Sequence, residues 1–384
     1  MDSPTAGARS PLRDVALLFL KLGTVAFGGP AAHLGMIEDE VVRRRGWLTR
    51  EAFLDLVGAT NLIPGPNSTE LAIHIGARRA GTAGLIVAGV CFILPAVLMV
   101  SALAWGYVRY GAVPAAQGLL AGVQPVVIAV ILQALWRLGR TALKSPQLWA
   151  LAVATAVMTI LGVNELIVLF GAGALWLGLH ASRRGLPPSG LSASLALWPA
   201  ALGAPAAVVG GVAFSTTTLF LVFLKVGAVL FGSGYVLLAF LRADLVDRLG
   251  WLSETQLLDA VAVGQVTPGP LFTTATFIGY VLNGPTGAVL ATVGIFLPAF
   301  VFVAASAPLL PRVRASPPAA AFLDAVNVAS LALMAVVTWQ LGRHVLTSVP
   351  PVALAAIALV LLRARVNAAW LVLGGAAVGL VLGT

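Results

Sequence analysis

Long apolar blocks at 15–35, 81–105, 115–136, 148–162 and 165–180 dominate the first half of this chain, separated by short polar stretches. A helix that crosses a bilayer needs roughly 20 apolar residues, so the blocks predict five transmembrane spans. The stretch 51–79 has a different pattern. It starts after Thr49, a helix N-cap by type, and runs apolar to Ile63 before Pro64-Gly65-Pro66 interrupts it. Proline lacks a donor and disfavours helix in the residue before it. A second short helix is predicted from Asn67-Ser68-Thr69 to Arg78-Arg79. Two half-length helices meeting at a Pro-Gly-Pro tip fit a re-entrant hairpin. Backbone exposed at that depth is tolerated only when buried in protein or lining a cavity. A kinked through-going helix is the alternative.

The pattern then repeats. Phe19-Leu20-Lys21 and Gly23 return as Phe223-Leu224-Lys225 and Gly227, and Gly46-Trp47-Leu48 as Gly250-Trp251-Leu252. Asp55 returns as Asp259 and Pro64-Gly65-Pro66 as Pro268-Gly269-Pro270, all at an offset of 204. After a slip of one residue, Pro95 pairs with Pro298 and Val163-Asn164 with Val366-Asn367. The predicted organisation is an N-terminal tail (1–14), a first repeat (15–180), a linker (181–214) and a second repeat (215–384). Duplicated hydrophobic halves with preserved Gly, Pro, Lys and Asp are the signature of a two-fold transporter. The linker stretch 195–214 reads as an interfacial segment because of Pro199 and Pro205; an extra span is the alternative.

Composition narrows the class. The chain has 384 residues, 59% of them hydrophobic and only 10% charged, with a mean hydropathy of +0.99. So little charge cannot solvate so much apolar surface, which leaves an all-α polytopic membrane protein. The net charge of +9 reads as cytoplasmic loop retention, not nucleic-acid binding. Five spans per half is an odd number, so the second half must be inverted. With the N-terminus outside, fifteen Lys and Arg collect on the cytoplasmic side against six outside. The lone Cys91 and four His residues offer neither a disulfide nor metal-ligand spacing, and no cofactor is expected.

Several residues can carry chemistry. Lys21 and Lys225 lie inside the first predicted span of each half, before Gly28-Gly29 and Gly232. A charge there faces protein or a cavity, or else snorkels to the headgroups. Asp55 and Asp259 are candidate proton carriers, because desolvation favours a protonated carboxyl; an ion pair with the lysines is the structural alternative. The tips Pro64-Gly65-Pro66 and Pro268-Gly269-Pro270 are candidate anion sites. Each precedes a helix start, at Asn67, Ser68 and Thr69 or at Thr273 and Thr274, where free N–H groups and a positive dipole end are presented. Glu70 and His74, four apart on one helix face, have no counterpart in the second half and are further coupling or gating candidates; a simple ion pair with Arg78 near the interface is the alternative. Glu38, Asp39 and Glu40 read as a solvated surface loop paired with Arg43-Arg44-Arg45.

The run from Phe19-Leu20-Lys21 to Phe27-Gly28-Gly29, the stretch from Glu38 and Val41 to Gly46-Trp47-Leu48, Pro64-Gly65-Pro66-Asn67 and the echo Thr267-Pro268-Gly269-Pro270 resemble the chromate transporter family. The likeness spans both halves, as in a long, two-domain member. It implies efflux of chromate from the cytoplasm, driven by the proton motive force and conferring resistance, with sulfate as the isosteric competitor. A sulfate or other anion transporter or channel is the alternative, and an intramembrane enzyme is a weaker one, because the sequence shows no Ser/His, Asp/Asp or metal constellation. The expected partners are the oxyanion, protons and the lipid bilayer of the inner membrane, with a homodimer as one assembly. In the second half Gly29-Pro30 becomes Ser233-Gly234 and Asn67 becomes Leu271, so the halves are not chemically equivalent.

Overall fold

The computed structural model describes residues 11–27, 29–111, 113–183, 213–231, 234–306 and 317–382. Gly28, Gly232 and most of the linker, including nearly all of 195–214, lie outside them. All described secondary structure is helical.

The block 15–35, predicted as one span, is two helices, α1 (Pro11–Val25) and α2 (Gly29–Glu38). Pro30 removes a donor just where the helix would have to continue. The freed Ala26 carbonyl finds other partners, the Gly269 N–H at 2.9 Å and His33 Nε2 at 3.0 Å. α2 then widens into a π-helical segment, Asp39–Arg44. This corrects the reading of Glu38-Asp39-Glu40 as solvated loop: Glu40 is only 7% exposed. The second half repeats the device with α8 (Thr216–Val229), a 3₁₀ turn at Gly234–Val236, α9 (Leu237–Leu241) and a π segment at Arg242–Arg248. π turns inside α-helices tend to mark functional positions.

The stretch 51–79 forms two helices on either side of Pro64-Gly65-Pro66. α3 (Arg50–Thr60) is capped by Thr49, whose hydroxyl accepts from the Ala52 N–H at 3.2 Å. After the tip, α4 (Asn67–Tyr110) reverses at Ala80-Gly81, where Gly81 takes a φ of +62°. Gly76 packs directly on the backbone of Gly84. Residues eight apart would be about 12 Å apart along a straight helix, so 67–79 folds back against 82–110. The second half follows suit with α10 (Glu254–Val266), closed by a Ser253/Gln256 capping box, and α11 (Thr274–Ser306). Here the reversal is at Asn283-Gly284, and Gly279 packs on Gly287.

The remaining helices are exchanged between halves. α5 (Pro114–Ala142) packs against α13 (Val349–Arg363) and α14 (Ala368–Leu382). α12 (Pro317–Val345) packs against α6 (Pro146–Ile160) and α7 (Glu165–Arg183). The two long helices also touch each other, forming a central pair. Gly122 lets α5 approach the backbones of Gly375 and Gly379, a small-residue contact suited to helices in lipid. Among the described residues, four helical stretches are long and apolar enough to cross a membrane: 67–110, 114–142, 271–306 and 318–345. Five further apolar helices are shorter, among them α6 and α13, of 15 residues each.

Candidate functional site: a cavity where the two tips meet

Each Pro-Gly-Pro tip is anchored on the other half. Gly65 donates its N–H to the Leu230 carbonyl at 2.9 Å, and Gly269 donates to Ala26 at 2.9 Å. Ala26 and Leu230 are equivalent residues at the break after the first helix of each half. Gly65 also sits against Ala299, and Gly269 against Ala96, another equivalent pair. Both glycines have positive φ, +137° and +95°, in a region that side-chain-bearing residues avoid. Each tip is therefore bonded to the chain just after the first helix of the other half.

Between them lies a cavity of about 380 Å³. Asn61, Ile63, Pro66, Asn67 and Ser68 of the first hairpin line one side. Gly234, Pro270, Leu271 and Phe272 line another, and the wall is completed by Thr141 at the end of α5, Lys144 just after it, and Asp324, Asn327 and Ser330 in the first half of α12. Asn67 and Ser68 open α4, and the first N–H groups of a helix have no partner within it. Asn67 Nδ2 donates to Asn61 Oδ1 at 2.7 Å, which fixes the amide at the rim. His33 contacts Ser68 Oγ through Nδ1 at 3.3 Å while its ring meets Phe92 edge-on. An ion pair between Lys144 and Asp324, 3.5 Å and largely exposed, ties the connection after α5 to α12 at the mouth.

The other sequence candidates are distributed around this cavity. Pro64, Gly65, Thr69, Pro268, Gly269, Thr273 and Thr274 are absent from its wall. The hydroxyls of Thr273 and Thr274 donate to Pro270 and Leu271 carbonyls at 2.8 Å each, bracing the second tip. Behind the first tip, Thr69 Oγ1, both carboxylate oxygens of Glu70 and His74 Nε2 are buried with no hydrogen-bond partner among the described residues. Glu70 lies directly against the Gly65 backbone, so the Gly at that position is needed for space as well as for conformation.

Neither lysine pairs with the aspartates proposed for it. Lys21 bonds Glu40 at 2.6 Å, and Lys225 bonds Asp244, with Glu165 at 3.4 Å. Arg45 and Arg248 complete the two carboxylate clusters at 3.1 and 2.8 Å. The Lys21 ammonium, above all, holds the Glu40 carboxyl below the usual carboxylate range. Glu40 and Asp244 are equivalent, so each lysine pins the π segment of its own half. Asp259 is buried and receives two bonds from the other half, from Tyr107 Oη and Gln124 Nε2, both at 3.0 Å. Asp55 is exposed on α3.

His33, Tyr107, Gln124, Lys144 and Asn327 escaped the sequence reading. His33 aligns with Leu237, so a search for preserved pairs passes over it. Gln124 and Asn327 were detectable as polar amides 203 residues apart inside apolar blocks.

The sequence profile described as "Chromate transporter" matches residues 13–177 and again residues 217–380. The chain is 36% identical over 361 residues to the chromate transport protein of Pseudomonas aeruginosa, covering 91% of this chain and 86% of that one. It is 32% identical over 374 residues to the chromate transport protein of Cupriavidus metallidurans, covering 96% and 93%. An uncharacterized transporter of Bacillus subtilis, 28% identical over 158 residues, aligns across 79% of its own length but 41% of this chain. No solved structure matches the chain. Matched along both halves by one profile and over most of its length by two chromate transport proteins, the chain belongs to the chromate transporter family.

Proposed function

We propose that this protein is a multi-pass inner-membrane secondary transporter that exports chromate from the cytoplasm, driven by the proton motive force, and so confers resistance. The observation that carries the reading is the cavity of about 380 Å³ touched by both Pro-Gly-Pro tips. Chromate spreads two negative charges over four oxygens. N–H groups at a helix start, the Asn67 amide and the Ser68 hydroxyl suit such an ion, and the Lys144 ammonium draws it to the mouth. These donors read a tetrahedral dianion and not its central atom, so sulfate is the natural competitor.

The two halves, 15–180 and 215–384, are read as inverted repeats whose hairpins enter from opposite faces. The excess of Lys and Arg on one side supports this, as do the reciprocal tip contacts. On this reading the cavity opens to the cytoplasm, since Lys144 follows a cytoplasmic helix end. Lys21 and Lys225 hold the helix breaks and bring positive potential to the path. Asp259, Asp55, Glu70 and His74 are the proton-coupling groups, being carboxyls and an imidazole near the tips. Asp259→Asn keeps its partners, because the Tyr107 hydroxyl can accept as well as donate, but it cannot release a proton.

Inverted vesicles with an imposed proton gradient test the reading. Chromate uptake should follow the gradient and fall with added sulfate. The Asp259→Asn protein should exchange chromate without concentrating it. Gradient-independent flux in the parent protein would identify a channel instead.

A further inference from the structure

The second hairpin holds its carboxylate buried against the other half, and the first presents its carboxylate on an exposed face. α10 packs on α5 and α14 as well as on its neighbours, whereas α3 packs extensively only on α4. Leu258 on α10 is 1% exposed and its equivalent Leu54 is 54% exposed. The latch of the second hairpin is Asp259, bonded to Gln124 of α5 and Tyr107 of α4. The repeat provides α12 with an amide at the position of Gln124, namely Asn327, and α3 with the carboxylate Asp55. Asn327 now lines the cavity, one turn from Ser330, whose hydroxyl is buried and has no partner among the described residues. The apolar side chains of α1, α2, α3 and the near part of α4 form a core of their own. That core meets α11 through Gly89 against Phe300 and a cluster around Ile73, Leu85, Ala299 and Val303, a boundary separate from its own interior.

Resting on the transport reading, we infer that Asn327 is the docking partner of Asp55. The first hairpin closes the cavity by laying α3 along α12, and the Asp55 carboxylate then accepts from the Asn327 amide, as Asp259 now accepts from Gln124. The residue at the Tyr107 position is Leu310, so this second latch has one donor fewer. Asn327 is thus a positioning residue for alternating access: the two carboxylate–amide latches exchange as the cavity changes sides.

Cysteine pairs in a Cys91→Ala background test this in membranes without any transport measurement. A disulfide needs Cα atoms within about 7 Å. Gln124→Cys with Asp259→Cys should cross-link at rest. Asp55→Cys with Asn327→Cys should cross-link on oxidation in the presence of chromate, and should shield a cysteine placed at Thr141 from cytoplasmic maleimide. Without cysteine pairs, Asn327→Asp should abolish that shielding by like-charge repulsion. The swap Asp55→Asn with Asn327→Asp should restore it, and Asn327→Gln should keep it. A role for Asn327 in holding the anion predicts no rescue by the swap. An inserted protein that never forms the 55–327 cross-link, or Asn327→Asp shielded like the parent, overturns the inference. Normal cross-links in a protein that moves no chromate would instead refute the transport reading.

Discussion

The two hairpins descend from one sequence pattern yet sit in different surroundings. Asp259, Leu258 and Ala260 of the second are buried, and the void left between Ile131, Val261 and Leu271 is about 10 Å³. Around the first, Asp55 is exposed and the space beside Asn61 and Asn67 is a cavity of about 380 Å³. The lining differs chemically as well as in size. Asn67, His33, Ser330 and Asp324 face equivalents Leu271, Leu237, Val127 and Ala121, so polar groups gather at the open side. One sequence pattern occurs twice, and substitution left one copy beside a polar cavity and the other among apolar side chains.

The comparison breaks most visibly at the lysines. Lys225→Ala leaves Asp244, whose side chain is 2% exposed, with Arg248 alone and takes the ammonium from Glu165, and should cost about 1–3 kcal/mol, short of the roughly 3–5 kcal/mol of a fully stranded charge. Lys21 is 53% exposed, and its loss leaves Glu40 still paired with Arg45, so Lys21→Ala should cost under about 1 kcal/mol. Unfolding midpoints in detergent measure both, and equal losses would deny the asymmetry. Asp259→Ala should cost about 1–3 kcal/mol, because it leaves the Gln124 amide and Tyr107 hydroxyl unpaired in the interior. Asp55→Ala, on an exposed face, should cost less, about 0–1 kcal/mol. The same unfolding assay tells them apart.

Where the halves agree, they should respond alike. Gly23 lies on the backbone of Phe92 and Gly227 on that of Ile295, at equivalent crossings of α1 with α4 and α8 with α11. Gly23→Val and Gly227→Val should therefore each cost about 1–3 kcal/mol through overpacking. A large difference in yield of folded protein would show that the module around α1 is looser than its twin. The smallest effect belongs to the mouth: Lys144→Ala should change stability by about 0–1 kcal/mol, since its pair with Asp324 is solvated. It should still raise the chromate concentration needed for half-maximal flux, more so at low salt.

Much of this fold was written in local patterns. Thr49 as a cap, the tip at Pro64-Gly65-Pro66, the helix restart at Asn67 and the helices within 81–105 and 115–136 follow from donor loss at proline, capping by hydroxyls and apolar run length. Such signals act over a few residues, so the sequence alone determined them, along with the family and the two-fold plan. Other features needed the chain to be folded. The break after Val25 was hidden because a Gly-Gly-Pro run inside an apolar block also fits a kinked span. Glu40 read as surface because it sits in a charged run, and only the π segment turns it onto Lys21, nineteen residues back.

The sequence set equal hairpins in equal halves; the tertiary structure decided which one buries its carboxylate against the other half. Asp259 bonds Tyr107 and Gln124 across 152 and 135 residues, and each tip is held by a carbonyl of the opposite half. Contacts at such separations depend on how two halves with their own cores settle against each other. A pattern read along one strand of sequence carries no term for that choice.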